Sequence, residues 1–539
     1  MPHLLLGPML RFVGDGCATV WVETDEPCEV EVLGCASRTF QVAGHSYGLV
    51  VVEGLPVHGD TTYDVRLDGE QVWPEPGSSW PASTIRTRER TEPVRLAFGS
   101  CRVAGPLDDD SSGVDALHAL AERMRRQDPE QWPHTLLLVG DQVYADENID
   151  PATRAFIASR RDTTVGAGPE VADVEEYTRL YQHSWSPEPV RWLLSTLPTA
   201  MVFDDHDVRD DWNTSRAWRD EIRRTDWWQD RIEAGLMTYW LYQHLGNLAP
   251  AALAEDPLLA RLRALGEEGQ DGEQVLRDYA RHADAEADGG GPTRWSYRRE
   301  LGTSRLLVID SRCGRVLSDD RREMLDEPEW QWLTAQLDGP TDHLLLATSL
   351  PFLLPPGVHH LEAFDEAVAG GVWGARAAGL GEKLRQGADL EHWAAFGTSF
   401  ARMTGLLADV GSRDDAPATL TFLSGDVHFA YLAEARFPAS RGVRAKVFQA
   451  VCSPIRNPLP SAVSIGQRFA CSRLAGGIGR ALARAARVAR PELAWRVEGG
   501  PAFGNEVATL HLDGRTALLT VEKAVAGPRL APSFSHVLA

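Results

Sequence analysis

At 539 residues the chain is too long for one small core, so two or more domains are expected. Hydrophobic residues make up 43% and charged residues 24%, the balance of an ordinary soluble globular protein. A formal net charge of -23 argues against nucleic acid as a stable partner and against general binding to anionic membranes; it still admits a small anionic substrate, because bound cations invert a local field.

The opening stretch, MPHLLLGPMLRFVGDG, holds one short apolar patch. It has no basic start, long apolar core or twin arginine, so no export signal is expected. No apolar run reaches the ~20 residues of a transmembrane segment. Seven cysteines, odd in number and scattered, suggest no disulfide framework and a reducing compartment. The expectation is a cytoplasmic protein.

Residues 1–90 alternate in the manner of strands: CATVWVET, CEVEV, YGLVVVEGL and TTYDVRLDG are short β-rich runs separated by turn residues. They predict a small N-terminal β-sandwich (immunoglobulin- or fibronectin-like), with PEPGSSWPAST at 74–84 as its last loop. From Val94 the pattern changes. RLAFGSCR, TLLLVGDQVYAD, TAMVFDDHD, SRLLVIDSR, HLLLATSLP and TLTFLSGDVHF are apolar runs that end in polar or reactive residues. Helical stretches between them, such as Val114–Arg126, Trp227–Gly246 and Glu329–Leu337, predict an α/β core over 94–539. Reactive residues at strand C-termini suit the usual site of such sheets.

Three helical insertions are expected, at about 215–292, 362–415 and 465–496. The last carries seven arginines and one glutamate. It reads as a solvated helix offsetting an acidic protein, with contact to an anionic partner or membrane surface as the alternative. DWWQD at 226–230 and EWQWL at 329–333 are expected to pack insertions onto the core, because adjacent tryptophans on a helix cannot face one ligand.

Four strand ends carry candidate chemistry. Cys101 in FGSCR is either a buried thiol or a metal ligand. In LVGDQVY, Gly140 permits a tight turn that projects Asp141, with Tyr144 three residues on; both are hard oxygen donors, although N-capping would also explain an aspartate there. FDDHDVRDDWN, 203–213, packs five carboxylates and a histidine behind an apolar run. Asp205, His206 and the amide of Asn213 are candidates, against the reading of a solvated acidic loop. In FLSGDVHF, Asp426 and His428 share a side of an extended chain, as ligands or as a hydrogen-bonded pair. Converging on one sheet edge, these residues would hold two cations, and the cations would neutralise the carboxylate cluster.

In that order, GSC, GDxxY, FDDHD, IDSR and GDVHF, together with VCSPIRNPLP at 451–460, resemble the PhoD-like alkaline phosphatases, a branch of the calcineurin-like metallophosphoesterases. The resemblance covers about residues 94–460. It implies a four-layer α/β/β/α sandwich behind the N-terminal β-domain, and a two-metal site with iron and calcium in the best-understood branch, other divalent cations remaining open. Cys101 and Tyr144 would be iron ligands and Asp141 the bridge. Asp205 would bind the second metal, Asp426 and His428 one metal each in an order left open, and His206 would sit near the leaving group. Arg312 in IDSR would contact phosphate or make an ordinary salt bridge. The implied function is hydrolysis of phosphate mono- or diesters. A metal hydrolase acting on another bond, or a catalytically inactive scaffold on this fold, are the alternatives.

Overall fold

A computed structural model describes residues 1–14, 16–107, 110–289, 291, 293–318 and 321–539. Positions 290 and 292, at the end of the first expected insertion, lie outside the described residues.

Two large sheets form the centre. In the first, Val94–Gly99, Thr135–Val139 and Thr199–Val202 run parallel, and the sheet is completed by Glu506–Asp513, Thr516–Val525 and Arg529–Val537 in antiparallel order. In the second, Ser304–Val308, His343–Ala347, Thr419–Ser424 and Lys446–Val451 are parallel neighbours, flanked by the antiparallel strands Tyr297–Leu301, Ala430–Arg436 and Ala494–Ala502. Residues 494–496 of the basic segment thus enter a strand and not a helix, because Ala494–Ala502 extends the sheet edge offered by Ala430–Arg436.

Alternation along the strands sorts side chains into layers. Leu96, Phe98, Leu137, Val139, Ala200 and Val202 face inward, and Leu306, Val308, Leu345, Ala347 and Leu423 meet them from the second sheet. The intervening Ala97, Leu136, Leu138 and Met201 point outward against helices such as Ala116–Arg126. On the far side Leu307, Ile309, Leu344, Leu346 and Phe422 cover Trp330, Phe400 and Met403 of helices Glu327–Ala335 and Gly397–Ser412. The result is an α/β/β/α sandwich. Strands buried on both faces explain why the runs were continuously apolar.

The N-terminal β-sandwich has two four-stranded sheets. Leu10, Val20 and Val22 of one face Val30, Val65 and Leu67 of the other. The outer face of the first sheet is also buried: Met9, Trp21, Tyr47 and Leu49 join one core with Tyr242 and Leu262 of the second unit. Tyr242 stacks on Tyr181 at 4.4 Å and lies 5.3 Å from Trp21. Arg11 is wholly buried at this seam. Its Nε donates to the Thr199 carbonyl at 3.0 Å, and its Nη1 and Nη2 donate to the carbonyls of Tyr242 and Gln243 at 2.6 and 2.7 Å. Gly246 is required beside it, since a Cβ there would overlap the guanidinium.

Helices fill the remaining segments: Arg216–Ile222, Trp228–Tyr239, Pro250–Glu255, Pro257–Glu267 and Glu273–Asp284; then Pro356–Ala369, Ala375–Gly387 and Gly397–Ser412; then Ser461–Ala470 and Arg473–Ala485. Trp228 and Trp330 are buried, Trp228 edge-on to Trp218 at 5.5 Å, as packing residues should be.

Candidate active site

The strand ends converge because the chain turns sharply off each of them. Cys101, Asp141, Asp426 and His428 take positive φ of 58°, 49°, 66° and 57°, a left-handed backbone that costs a side-chain-bearing residue on the order of 1–2 kcal/mol. Two glycines let the ends approach. At Gly140, with φ of 100°, a Cβ would stand 2.8 Å from the Asp204 Cβ, and at Gly425 it would overlap the Ser100 side chain.

The side chains of three strand ends meet first. Cys101 Sγ lies 3.3 Å from Asp141 Oδ2, and the Tyr144 hydroxyl donates to the same oxygen at 3.4 Å while lying 3.4 Å from His428 Nε2. Donor atoms of Cys101, Asp141 and His428 fall within 4.8 Å of one another. By the same measure Asp141 also groups with Asp205 and His206, and Asp205 in turn with Asp204 and Asp426. His428 therefore stands with the thiol and the phenol, and Asp426 with the aspartate pair.

Neighbours set the orientation of these groups. His206 Nδ1 lies 3.0 Å from each oxygen of Asp146, and its ring lies 4.6 Å from that of Tyr144, tilted by 30°. His392 bridges two carboxylates, with Nδ1 2.7 Å from Glu362 and Nε2 2.7 Å from Asp426. Burial works against charge on Asp426, but His392 outweighs it and holds the carboxyl down at about 2. Burial likewise disfavours a charged His206, yet Asp146 and Asp205 carry its pKa well above the usual histidine value.

Arg312 and Asn213, expected as substrate contacts, are both buried. Arg312 is fully buried beneath the carboxylates: it pairs through Nε with Asp204, through Nη2 with Asp205 at 3.2 Å, and through Nη1 with Glu391 at 2.6 Å. It does not line the cavity, because three anions hold its guanidinium away from it. Of the two readings of Arg312, the salt bridge is the one observed, in a buried form. Asn213 is also buried, and its amide nitrogen donates to the Arg312 carbonyl at 3.2 Å, so it braces the loop under Arg312.

Arg312 does not neutralise the cluster. Among buried side-chain atoms, Asp141 Oδ1, Asp204 Oδ2 and Glu362 Oε2 have no hydrogen-bond donor, and Asp205 Oδ1 has only its ion pair with Arg312 Nη2. Left so, burial and then the neighbouring Cys101 push Asp141 well above the carboxylate range. Burial pushes Asp204 to about 8 despite Arg312, and burial followed by Asp426 pushes the Cys101 thiol to about 12. Donorless buried carboxylate oxygens beside a thiol, a phenol and an imidazole fit cations: a mixed S/O/N set around Cys101, Asp141, Tyr144 and His428, and an oxygen set around Asp141, Asp205 and Asp426.

Above these groups opens a cavity of about 390 Å³ lined by Asp141, Asp205, His206, Asp426 and His428 on its floor. Part of its wall comes from the predicted insertions, Asp389, Glu391 and His392 from one and Gln467 from another, and Leu354, Pro355 and Phe429 add apolar surface from outside them. Glu362, Glu391 and His392 were not singled out from sequence, since they lie in helical or loop segments with no strand before them. Asp146 closes the quoted TLLLVGDQVYAD and had a local signal, a carboxylate five residues past Asp141 on the same turn.

A family model described as PhoD-like phosphatase matches residues 115–465, and one described as a domain of unknown function (DUF7800) matches residues 1–85. No curated protein matches the chain. Among solved structures, "Structure of PhoD" aligns with a TM-score of 0.60 at 11% identity, covering 99% of this chain and 90% of that one. At that identity the likeness speaks for the fold. The family model spans most of the chain, over the residues that build the cavity, and the chain belongs to the PhoD-like phosphatase family.

Proposed function

We propose that the chain is a metal-dependent phosphoesterase that hydrolyses phosphate mono- or diesters. The observation that carries this reading is the meeting of the donorless buried oxygens of Asp141 and Asp204 with Asp205, Asp426, Cys101, Tyr144 and His428 beside one cavity. Cys101, Asp141, Tyr144 and His428 would hold iron, and Asp205 and Asp426 would share Asp141 with a second cation such as calcium. Bound there, the two cations would offset the charge of a phosphate group and make a water molecule acidic enough to attack it.

The chain's own groups do the rest. Asp146 accepts from Nδ1 of His206, which leaves Nε2 as the atom that passes a proton to the departing oxygen. His392 is a positioning residue, fixing Asp426 between itself and the turn after Thr419–Ser424. Arg312 offsets Asp204, Asp205 and Glu391 and leaves Asp204 Oδ2 without a donor. No disulfide is formed among the described residues, which supports a reducing, cytoplasmic setting as part of the same reading.

The test is elemental analysis of protein purified without added metal, followed by a panel of aryl phosphate mono- and diesters, carboxylic esters and amides. Iron near one equivalent with a second divalent ion, and hydrolysis of the phosphates, is the expected result. No bound metal after reconstitution, or turnover of carboxylic esters or amides alone, would overturn the proposal.

A further inference from the structure

The basic segment forms a surface with two chemical characters at the rim of the cavity. Helix Arg473–Ala485 seats on helix Pro356–Ala369 through small residues, Ala475, Gly476, Gly479 and Ala483. The seat is close: a Cβ at Gly479 would stand 2.9 Å from that of His360, and one at Gly476 3.2 Å from that of Pro356. With the small residues used for packing, the larger ones are left outside. Leu474, Ile478 and Leu482 recur every four residues with exposures of 66%, 49% and 37%. Helix Ser461–Ala470 adds Ile465 at 70% and Phe469 at 54%.

Arginines interleave with this apolar set. Arg473, Arg480, Arg484, Arg487 and Arg490 are exposed, and none of them enters an ion pair or a side-chain hydrogen bond among the described residues. Leu459 and Gln467, from the same stretch of chain, line the cavity itself.

A helix that only offset the acidity of the protein would need the arginines and not the five large apolar side chains. Nucleic acid would engage the arginines and leave the aliphatic groups in water. An apolar protein surface would cover the aliphatic groups and leave five guanidinium groups without partners. A lipid surface offers hydrocarbon and phosphate at adjacent depths, and so satisfies both. We propose that helices Ser461–Ala470 and Arg473–Ala485 dock onto an anionic lipid membrane and bring the cavity mouth to the headgroup layer. The contact is peripheral: no helix among the described residues is long and apolar enough to cross a membrane. The net charge of -23 opposes approach only over distance, since salt screens it beyond about 10 Å. Docking stands on the surface alone and is independent of the phosphoesterase reading.

The experiment is co-sedimentation of the full chain with phosphatidylcholine vesicles and with vesicles of phosphatidylcholine and phosphatidylglycerol in equal parts. Binding is expected to the anionic vesicles only, and to weaken as salt rises. Ile478→Asp with Leu482→Asp should lower apparent affinity by roughly tenfold or more. Arg480→Gln with Arg484→Gln should flatten the salt dependence. Melting temperatures of both variants should match the parent, which separates loss of docking from loss of fold. Failure of the parent to bind anionic vesicles, or equal binding by the aspartate variant, would overturn the proposal. So would a stable parental dimer, seen by light scattering, that Ile478→Asp dissociates while vesicle binding is absent; the face would then belong to a second copy.

Discussion

Replacing Arg312 by methionine separates a buried counter-ion from a substrate contact. Methionine approximates the stem of arginine, so little cavity is created and the change falls on charge. The wild-type guanidinium faces Asp204, Asp205 and Glu391 with all four side chains buried. Each attraction at such distances is worth about 4 kcal/mol at an effective dielectric constant near 20, before desolvation is subtracted. Removing one member of a buried pair costs about 3–5 kcal/mol, and here three carboxylates lose the same cation. At about 2 °C per kcal/mol, the melting temperature of chelator-treated Arg312→Met should fall by roughly 6–10 °C. The fall should be smaller after metal loading, because cations at Asp141, Asp205 and Asp426 would offset part of the exposed charge. Arg312→Lys should recover part of the loss. Scanning fluorimetry with and without chelator measures this, with KM on an aryl phosphate followed in parallel. An unchanged melting temperature together with a KM raised tenfold would refute the reasoning and return Arg312 to the substrate.

His206→Ala should retain both metals by elemental analysis and lose about 10²–10⁴ in kcat; unchanged kcat would remove it from proton transfer. Asp146→Asn should lower kcat in the same direction by about 10–100-fold, since the imidazole keeps its place but loses its anchor. Asp141→Asn should bind less of both metals, and full occupancy in that variant would show that it bridges nothing. His45 pairs with Glu23 of the β-sandwich at 3.3 Å and reaches across the seam to Glu175 of the core at 2.8 Å. Burial lowers its pKa, but the two glutamates outweigh it and raise the value from 6.5 to about 9. A raised folded pKa means that the folded state holds the proton more tightly, so the stabilisation is complete below about pH 6.5 and is lost as pH rises through 9. The stability difference between the parent and His45→Gln should therefore be about 1–3 kcal/mol at pH 6 and vanish near pH 10, as read by denaturant melts; a difference that grew with pH would reverse the assignment.

The layers were legible because strands buried on both faces must be apolar throughout, and helices between them must not be. The turns that carry the candidate ligands were legible because they follow those strands directly: Asp141, Asp205, Asp426 and Cys101 all lie within three residues of a strand end. Spacing says where a residue sits and not where its side chain turns. Arg312 lies four residues past Val308, at the right edge, yet three carboxylates draw it beneath the site. Asn213 follows the same loop under it. His392 and Glu362 reach Asp426 from an insertion, and no local pattern marks a histidine that meets its partner only through tertiary packing. The apolar stripe Leu474, Ile478 and Leu482 carried the helical period, but its exposure is decided by the small residues that occupy the packed side.

The seam at Arg11 ties the far end of the chain's first strand to chemistry about two hundred positions downstream. Thr199 opens the strand whose other end releases Asp204, Asp205 and His206, and its carbonyl is gripped by Arg11 from the β-sandwich. The N-terminal unit is therefore a foundation poured against the floor of the candidate site. Cutting the chain near residue 90 would leave two pieces each with a wet apolar wall, and the loop that carries the aspartates would lose one of its moorings.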